Sequence, residues 1–594
     1  MKPNFIFVHM WRNLIILTVA ILFQACVHKR DLSENTVVVQ IPVNIAGLHI
    51  TNDLSAYRAL VFEYIHKPMM RTDLRINKVI PVLSDSFPQM DETGTRFLYT
   101  IKKGVKWDNG EVFDADDVIF TVKVILAPLT NNPQLKGNFL GVIKSVEKVN
   151  GRPDQFVLVT QSRNRGALEI LTEVYFMQES IWDPKHLLHS LHFEDCFNPN
   201  YQSTPELSAW FEAFNAPERS REPKWINGLG PYAVTEWVDD NYILIEKKKN
   251  WWGDADTNIL LANEPDKIMF RVIKDENAVY YALRNENIDA INRVGMSKFQ
   301  KLRKHKYFNE TYHSAFIDQY AYNYFGMNTK PDGVQHKPFF TDKRVRKAMA
   351  YLIPVDNIIK VLYRGNAARQ VSFISPFKRE YNTDLQPIEF SLAKAEALLD
   401  EAGWKDTDKD GIRDKTINGE KVPFRFHFNY MSGAYPSKEI GLMIHEEMWK
   451  AGIDAIPSPQ EFSLFYQKLY SHDFDAALGA WMGSAAYEDP TQLWHTSQWA
   501  MFGSNFCGFG NAASDSLISS INEEMNDSLY LVKIKELQRM VVEEQPYVFL
   551  FSPKARVAIH RRFKGDMYVE KPQYYLNAFQ LISASSASQP VLTP

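Results

Sequence analysis

The stretch "KIMFRVIKDENAVYYALRNENIDAI", Lys267 to Ile291, reads as a strand, a helix and a second strand in unbroken succession. That is the repeating unit of an α/β sheet. Just before it, "GLGPYAVTEWVDDNYILIEKKKNWW" (Gly228 to Trp252) reads as a hairpin turning at Asp239–Asp240–Asn241. Beyond it, "YNYFGMNT" (Tyr322 to Thr329) is a further strand, and "TDKRVRKAMAYLIPVDNIIKVLYRG" (Thr341 to Gly365) is helical in two pieces, with Pro354 placed to start the second. "SLAKAEALLDEAGW" (Ser391 to Trp404) is a helix capped by Ser391 and stopped by Gly403. Toward the N-terminus, "TVVVQIPVNI" is a β-branched strand, and Phe97, Tyr99 and Ile101 alternate as a half-buried one.

A chain of 594 residues exceeds one ordinary domain, so two or three lobes are expected. Its 45% hydrophobic and 23% charged residues are those of a folded globular protein. Formal net charge is −4, and without the first 26 residues, which hold Lys2 and Arg12 and no acid, it becomes 65 − 71 = −6. No basic tract exceeds "EKKKN" (Glu246 to Asn250), which excludes nucleic acid as a partner.

Residues 1–26 read as a signal segment. The apolar run "LIILTVAILF" (Leu14 to Phe23) is too short to span a bilayer and suits a signal core. It ends in "FQAC", which resembles a bacterial lipobox with Phe23 in place of the usual Leu. The resemblance implies that Cys26 is lipidated and becomes the new N-terminus, so that the protein is anchored to a membrane of the cell envelope as a periplasmic lipoprotein. Cys196 and Cys507 are then left as two thiols that an oxidising compartment allows to pair, and their spacing leaves both states open. The tail "SASSASQPVLTP", residues 583–594, has the composition of a disordered end.

Three acidic or histidine motifs bear on chemistry. In "DADD", Asp114 and Asp117 have the spacing of a helix capping box, so a structural role is expected. In "DTDKDGIRD", Asp406, Asp408 and Asp410 with Gly411 copy the first half of a calcium loop, but Ile417 stands where an EF-hand needs Glu, and an exposed acidic turn is the expectation. "MIHEEMW" around His445 lacks the second His of a zincin, and no Cys/His cluster has zinc spacing. No metal and no cofactor are expected.

Five motifs follow one another in one order: "GVKWDNGEVFDADDVIF", "GLGPYAVTEW", "FRVIKDENAVYYALRNENIDAI", "MNTKPDGVQHKPFFTDKRVRKAMAY" and "DFDAALGAW". Together, from about residue 37 to about residue 580, they resemble the peptide- and nickel-type extracellular solute-binding proteins that feed ABC importers. The resemblance implies a two-lobed α/β clamshell of the periplasmic-binding-protein type with an additional inserted α/β domain. Lobe I takes residues 27–75, 215–300 and 550–582, the inserted domain 76–214, and lobe II 301–549. It also implies a monomer that does no chemistry: it captures a solute, a peptide first of all, by hinge closure and passes it to permease subunits. The absence of G-x-S-x-G, of a P-loop and of a defensible His-centred triad agrees. A non-peptide ligand (an oligosaccharide, a modified peptide or a metal chelate) and a receptor or chaperone-like clamshell are the alternatives.

The resemblance places "GAWMGSAAYEDP" (Gly479 to Pro490) at the mouth of the cleft. Peptide-binding relatives carry an Asp there, three residues after the Trp and four before the Pro, which pairs with the peptide's α-amine. Here the segment is two residues longer, and Ser484 or Ala486 falls at the Asp position, according to the end counted from. The amine anchor is therefore absent or supplied by Glu488 or Asp489. Trp481, Tyr487 and Trp494 offer apolar walls, Gly483 and Ser484 offer backbone groups, and Ser504 and Asn505 of the following "MFGSNFCGFGN" loop offer polar ones.

Overall fold

Strand Lys267–Val272 lies parallel to strand Thr36–Ile41, with Val37 opposite Ile268. The short strand Ala290–Ile291 lies parallel on the other flank of Thr36–Ile41. Helix Glu276–Arg284 makes the crossover, capped by the Asp275 side chain and buried through Val279, Tyr280 and Leu283. The computed structural model of the chain describes residues 30–53, 56–433, 436–499 and 503–582. The expected signal segment, Cys26 and the tail 583–594 lie outside the described residues.

The main sheet has seven strands in the order Tyr312–Ile317, Ala555–His560, Ala290–Ile291, Thr36–Ile41, Lys267–Val272, Tyr242–Lys247 and Tyr232–Val238. A second sheet has six, in the order Ala367–Arg369, Tyr547–Pro553, Tyr322–Met327, Ala476–Trp481, Arg425–Met431 and Asp454–Gln460. Between the parallel strands Arg425–Met431 and Asp454–Gln460 runs helix Ser437–Lys450, a second crossover unit. The two sheets are the centres of the two lobes of an α/β clamshell.

Two antiparallel strand pairs join the lobes. Tyr312–Ile317 pairs with Ala555–His560 in the first sheet, and Tyr322–Met327 pairs with Tyr547–Pro553 in the second. Only residues 318–321 and Lys554 separate the two pairs, so a two-stranded ribbon passes from one sheet into the other. Lys554 Nζ meets Asp318 Oδ1 at 3.0 Å and the Ser552 hydroxyl donates to Gln319 O at 2.8 Å, which ties the ribbon at the crossing. By sheet membership the crossings fall at 318–321 and at 554, not at 301 and 550. Strand Tyr312–Ile317 belongs to the first sheet because its partner is Ala555–His560, a pairing that local sequence does not record.

A four-stranded antiparallel sheet (Gln89–Met90, Arg96–Thr100, Arg152–Thr160, Ile143–Val149) carries helix Ala115–Leu126. Asp114 and Asp117 form the capping box of that helix. Asp117 also accepts from Trp107 Nε1 and from the Glu179 amide, both at 2.8 Å, so its carboxylate is consumed by structure. Phe97, Tyr99 and Phe156 of this sheet belong to the same continuous apolar cluster as Val37, Ile268 and Phe270 of the seven-stranded sheet. No helix among the described residues is long and apolar enough to cross a membrane. Cys196 and Cys507 are both free and buried.

Candidate functional site

Strand Ala476–Trp481 ends at the lobe crossing, since Trp481 lies opposite Tyr322, the first strand residue beyond the ribbon. The segment 482–490 leaves from there. Gly483 is obligatory: a Cβ on it would lie 2.6 Å from Tyr320 O of the ribbon, closer than real Cβ atoms come. Gly479 is likewise pressed against the Tyr324 ring, 2.6 Å from where its Cβ would be.

The bare backbone of Ser484–Tyr487 is wrapped around Lys378. The Lys378 ammonium donates to Ser484 O and to Ala486 O, both at 2.8 Å, and sits 3.4 Å from Glu488 Oε1. Glu488 accepts from the Ser484 amide at 2.8 Å. Two further carboxylates arrive from distant chain. Glu570, in the C-terminal part of the chain, accepts from the Ala485 amide, and Glu169, from the region 76–214, accepts from the Tyr487 amide at 2.8 Å. Burial pushes the carboxyl groups of Glu169 and Glu570 above their ordinary range, against the backbone bonds and Lys378, which act the other way.

The same contact line continues outward. The Tyr487 ring lies against Gly166, and its hydroxyl donates to Asn522 Oδ1 at 2.6 Å. The Arg165 guanidinium sits 4.2 Å over the Tyr530 ring, donates to Glu524 O at 3.0 Å and pairs with Asp527. Residues 165–169 therefore dock on the far lobe through one loop and two helices. On the other side of the segment, Lys571 Nζ donates to Met482 Sδ at 3.0 Å, and burial with the nearby Arg293 brings its ammonium down to about 8. The Asn292 side chain donates to Pro572 O at 2.9 Å, which sets Arg293 beside Lys571. Neither cation makes a close ion pair with a carboxylate among the described residues, and Glu570 acts on Lys571 only from a distance.

The expected site residues divide into three groups. Trp481, Gly483, Ser484 and Tyr487 come together at the crossing, where the Ser484 backbone is engaged by Lys378 and Glu488, so that a ligand would have to displace them to reach it. Trp481 is half-buried, stacked against Tyr324 and Phe506. Asp489 is exposed and accepts from the Asn522 amide and from the Thr491 backbone, away from the ribbon. Trp494 and Asn505 belong to the interior. Trp494 is 1% exposed among Phe373, Phe509 and Tyr547, and the Asn505 amide staples His495 O, Phe509 O and the Phe509 N–H. A wall residue must show a face, and Trp494 shows none. Ser504 is buried and donates to Gln492; Met501 of the same loop lies outside the described residues. Lys378, Glu169, Glu570 and Lys571 went unread, because each is a lone charge in an unpatterned stretch and acquires its role only through distant chain.

The acidic turn Asp406–Asp414 is held by a lysine. Lys421 Nζ lies 2.6 Å from Asp408 Oδ2 and 3.3 Å from Asp414 Oδ2, where a cation of the calcium reading would sit.

The family model for bacterial extracellular solute-binding proteins, family 5 (middle part), matches residues 78–501. The chain belongs to this family. Membership makes it a solute-binding protein and not an enzyme, and gives the extracellular or periplasmic setting of the family. The oligopeptide-binding protein AppA of Bacillus subtilis is 25% identical over 550 residues, 90% of this chain and 88% of that protein. The solved structure of AppA from Bacillus subtilis in complex with a nonapeptide superposes with a TM-score of 0.74 at 23% identity, covering 92% of this chain and 99% of the other. NikA from Brucella suis in complex with Fe(III)-EDTA superposes with a TM-score of 0.72 at 19% identity, covering 92% and 100%. This family-5 fold therefore accommodates ligands of unlike chemistry, and the binding residues of each chain have to be read from that chain.

Proposed function

We propose that this family-5 protein captures a peptide between its two lobes by hinge closure and delivers it to the permease of an ABC importer, while a lipid on Cys26 tethers it to a membrane. The observation that carries the peptide reading is the set of backbone donors and acceptors at Ser484–Tyr487. Three amides and two carbonyls there are matched by Lys378, Glu488, Glu570 and Glu169, the kind of charged and polar partner that a peptide's own backbone and termini offer. An entering peptide exchanges places with these side chains. Glu169 and Glu570 supply the negative charge for its α-amine in place of the missing Asp, and Trp481 and Tyr487 flank it. Likeness to the oligopeptide-binding AppA supports the same reading.

Native mass spectrometry of the chain purified from residue 27 onward tests it. Co-purified peptides with free N-termini are expected. A protein that keeps no ligand and shows no thermal shift with peptide mixtures would sink the peptide reading. For the anchor, Cys26→Ser is expected to release the protein from membranes, and unchanged retention would refute lipidation.

A further inference from the structure

Outside the cleft, three metal-ligating side chains converge in the region 76–214. Glu179 opens the short helix Glu179–Trp182, His186 caps the 3-10 turn Leu187–Ser190 that follows, and His189 lies within that turn. Glu179 Oε1 lies 3.2 Å from His186 Nδ1 and 2.7 Å from His189 Nε2. The three ligand atoms all lie within 4.8 Å of one another. The two imidazole rings tilt toward each other with centroids 4.9 Å apart.

We propose that Glu179, His186 and His189 form a binding site for a divalent transition-metal ion of zinc-like preference. Two imidazole nitrogens and one carboxylate oxygen are a donor set that suits Zn²⁺, with water completing a tetrahedron. Ligand atoms about 2.0–2.1 Å from such an ion stand roughly 3.3–3.4 Å apart. The His186 contact already has that spacing, and His189, whose side chain is 58% exposed, has room to swing outward by the few tenths of an ångström it needs.

Charge points the same way. The Glu179 side chain is 7% exposed, and its ion-pair partners among the described residues are these two histidines, which carry charge only when protonated. Lys123, whose ammonium donates to Leu188 O at 3.0 Å, acts on Glu179 only from a distance, and a divalent ion would supply the contact charge that this buried carboxylate lacks. The acidic turn at Asp406–Asp414 is the contrasting case, because Lys421 already fills that place. Backbone bonds hold the three ligands in register. The Asp183 amide donates to Glu179 O at 2.7 Å, the His186 amide to Asp183 O at 2.9 Å, and the His189 amide to His186 O at 3.1 Å. His186 itself adopts the left-handed conformation (φ 54°), which turns the chain so that both rings face Glu179. A bound ion would pin residues 179–189 as one closed loop.

The test is calorimetric titration of the EDTA-stripped chain, from residue 27 onward, with zinc chloride, together with the visible spectrum of its Co²⁺ form. One equivalent of zinc and a four-coordinate Co²⁺ spectrum are expected. Affinity should fall at least tenfold in His189→Ala and further in His186→Ala/His189→Ala, both of which change exposed rings and leave the fold intact by circular dichroism. No uptake of zinc overturns the proposal. So does uptake that the double variant leaves unchanged, and so does uptake abolished by Trp481→Ala, which would place the metal in the cleft as cargo.

Discussion

Glu169 Oε2 lies 2.8 Å from the amide nitrogen of Tyr487, a bond between residues 318 positions apart that joins the region 76–214 to the segment at the lobe crossing. A hydrogen bond to a charged acceptor contributes about 1.5–3 kcal/mol. Glu169→Ala is therefore expected to lower the closed-to-open ratio of the lobes by about tenfold or more, read from small-angle scattering or a donor–acceptor pair across the lobes. Glu169→Gln keeps an acceptor and should lose less. Burial against Ala485 and Tyr487 raises the Glu169 and Glu570 carboxyl groups, and parting of the lobes would return them to water. The closed form thus binds more protons, so closure should strengthen as pH falls through the raised values and weaken as pH rises above them. A closed-to-open ratio that ignores both pH and Glu169 would dismiss this bond as a determinant of closure.

His336 stands between Asp475 (Nδ1 to Oδ1, 2.9 Å) and Asp473 (Nε2 to Oδ1, 3.0 Å), pinning the loop after strand Tyr322–Met327 to the foot of strand Ala476–Trp481. Burial lowers its basicity, and the two carboxylates outweigh that, so its folded value is raised above 6.5. The resulting stabilisation is fully present below pH 6.5 and is lost as pH rises through the raised value. The stability difference between the wild type and His336→Gln should be larger at about pH 5.5 than at about pH 8.5 by urea denaturation. Equal differences would show the imidazole to be neutral throughout.

Asp289, fully buried, binds Arg562 through both oxygens (2.8 and 3.0 Å), Arg30 at 2.6 Å and the Val38 amide at 2.7 Å. It ties the first strand to the C-terminal segment. Asp289→Ala leaves two guanidinium groups without their shared partner, and a loss of about 3–5 kcal/mol is expected. Denaturation followed by circular dichroism measures it, and a loss below about 1 kcal/mol would show that water replaces the carboxylate.

Burial pushes the Cys196 thiol up to about 11 and the Cys507 thiol higher still. The thiolate is the reactive form. In a chain that begins after Cys26, no thiol should react with Ellman's reagent in the native state, and both should react in denaturant. A mass lower by two hydrogens before reduction would reveal a disulfide.

Local pattern carried a good deal. The alternation in Lys267–Val272 and the helical face of Glu276–Arg284 were legible because periods of two and 3.6 are written in neighbouring residues. The Asp114/Asp117 cap, the Ser391 cap and the Pro354 helix start were legible because caps use contiguous chain. Trp494 was misassigned because an aromatic residue in a sequence near a cleft looks alike whether it faces in or out, and only packing against Phe373 and Tyr547 decides. The Glu179, His186 and His189 cluster has no paired Cys/His signature in the sequence, because its third donor is a carboxylate seven residues upstream of the first histidine.

By itself the sequence determined the α/β class, many of the elements and the ordered motifs of the family. What only the tertiary structure decided was who meets the segment 482–490. Lys378, Glu169 and Glu570 are separated by up to several hundred residues, and each is a single charge whose partner is chosen by the folding of the two sheets around one ribbon. The membership of Tyr312–Ile317 in the first sheet and of Tyr547–Pro553 in the second has the same cause: pairing is a long-range contact, and no local period encodes it.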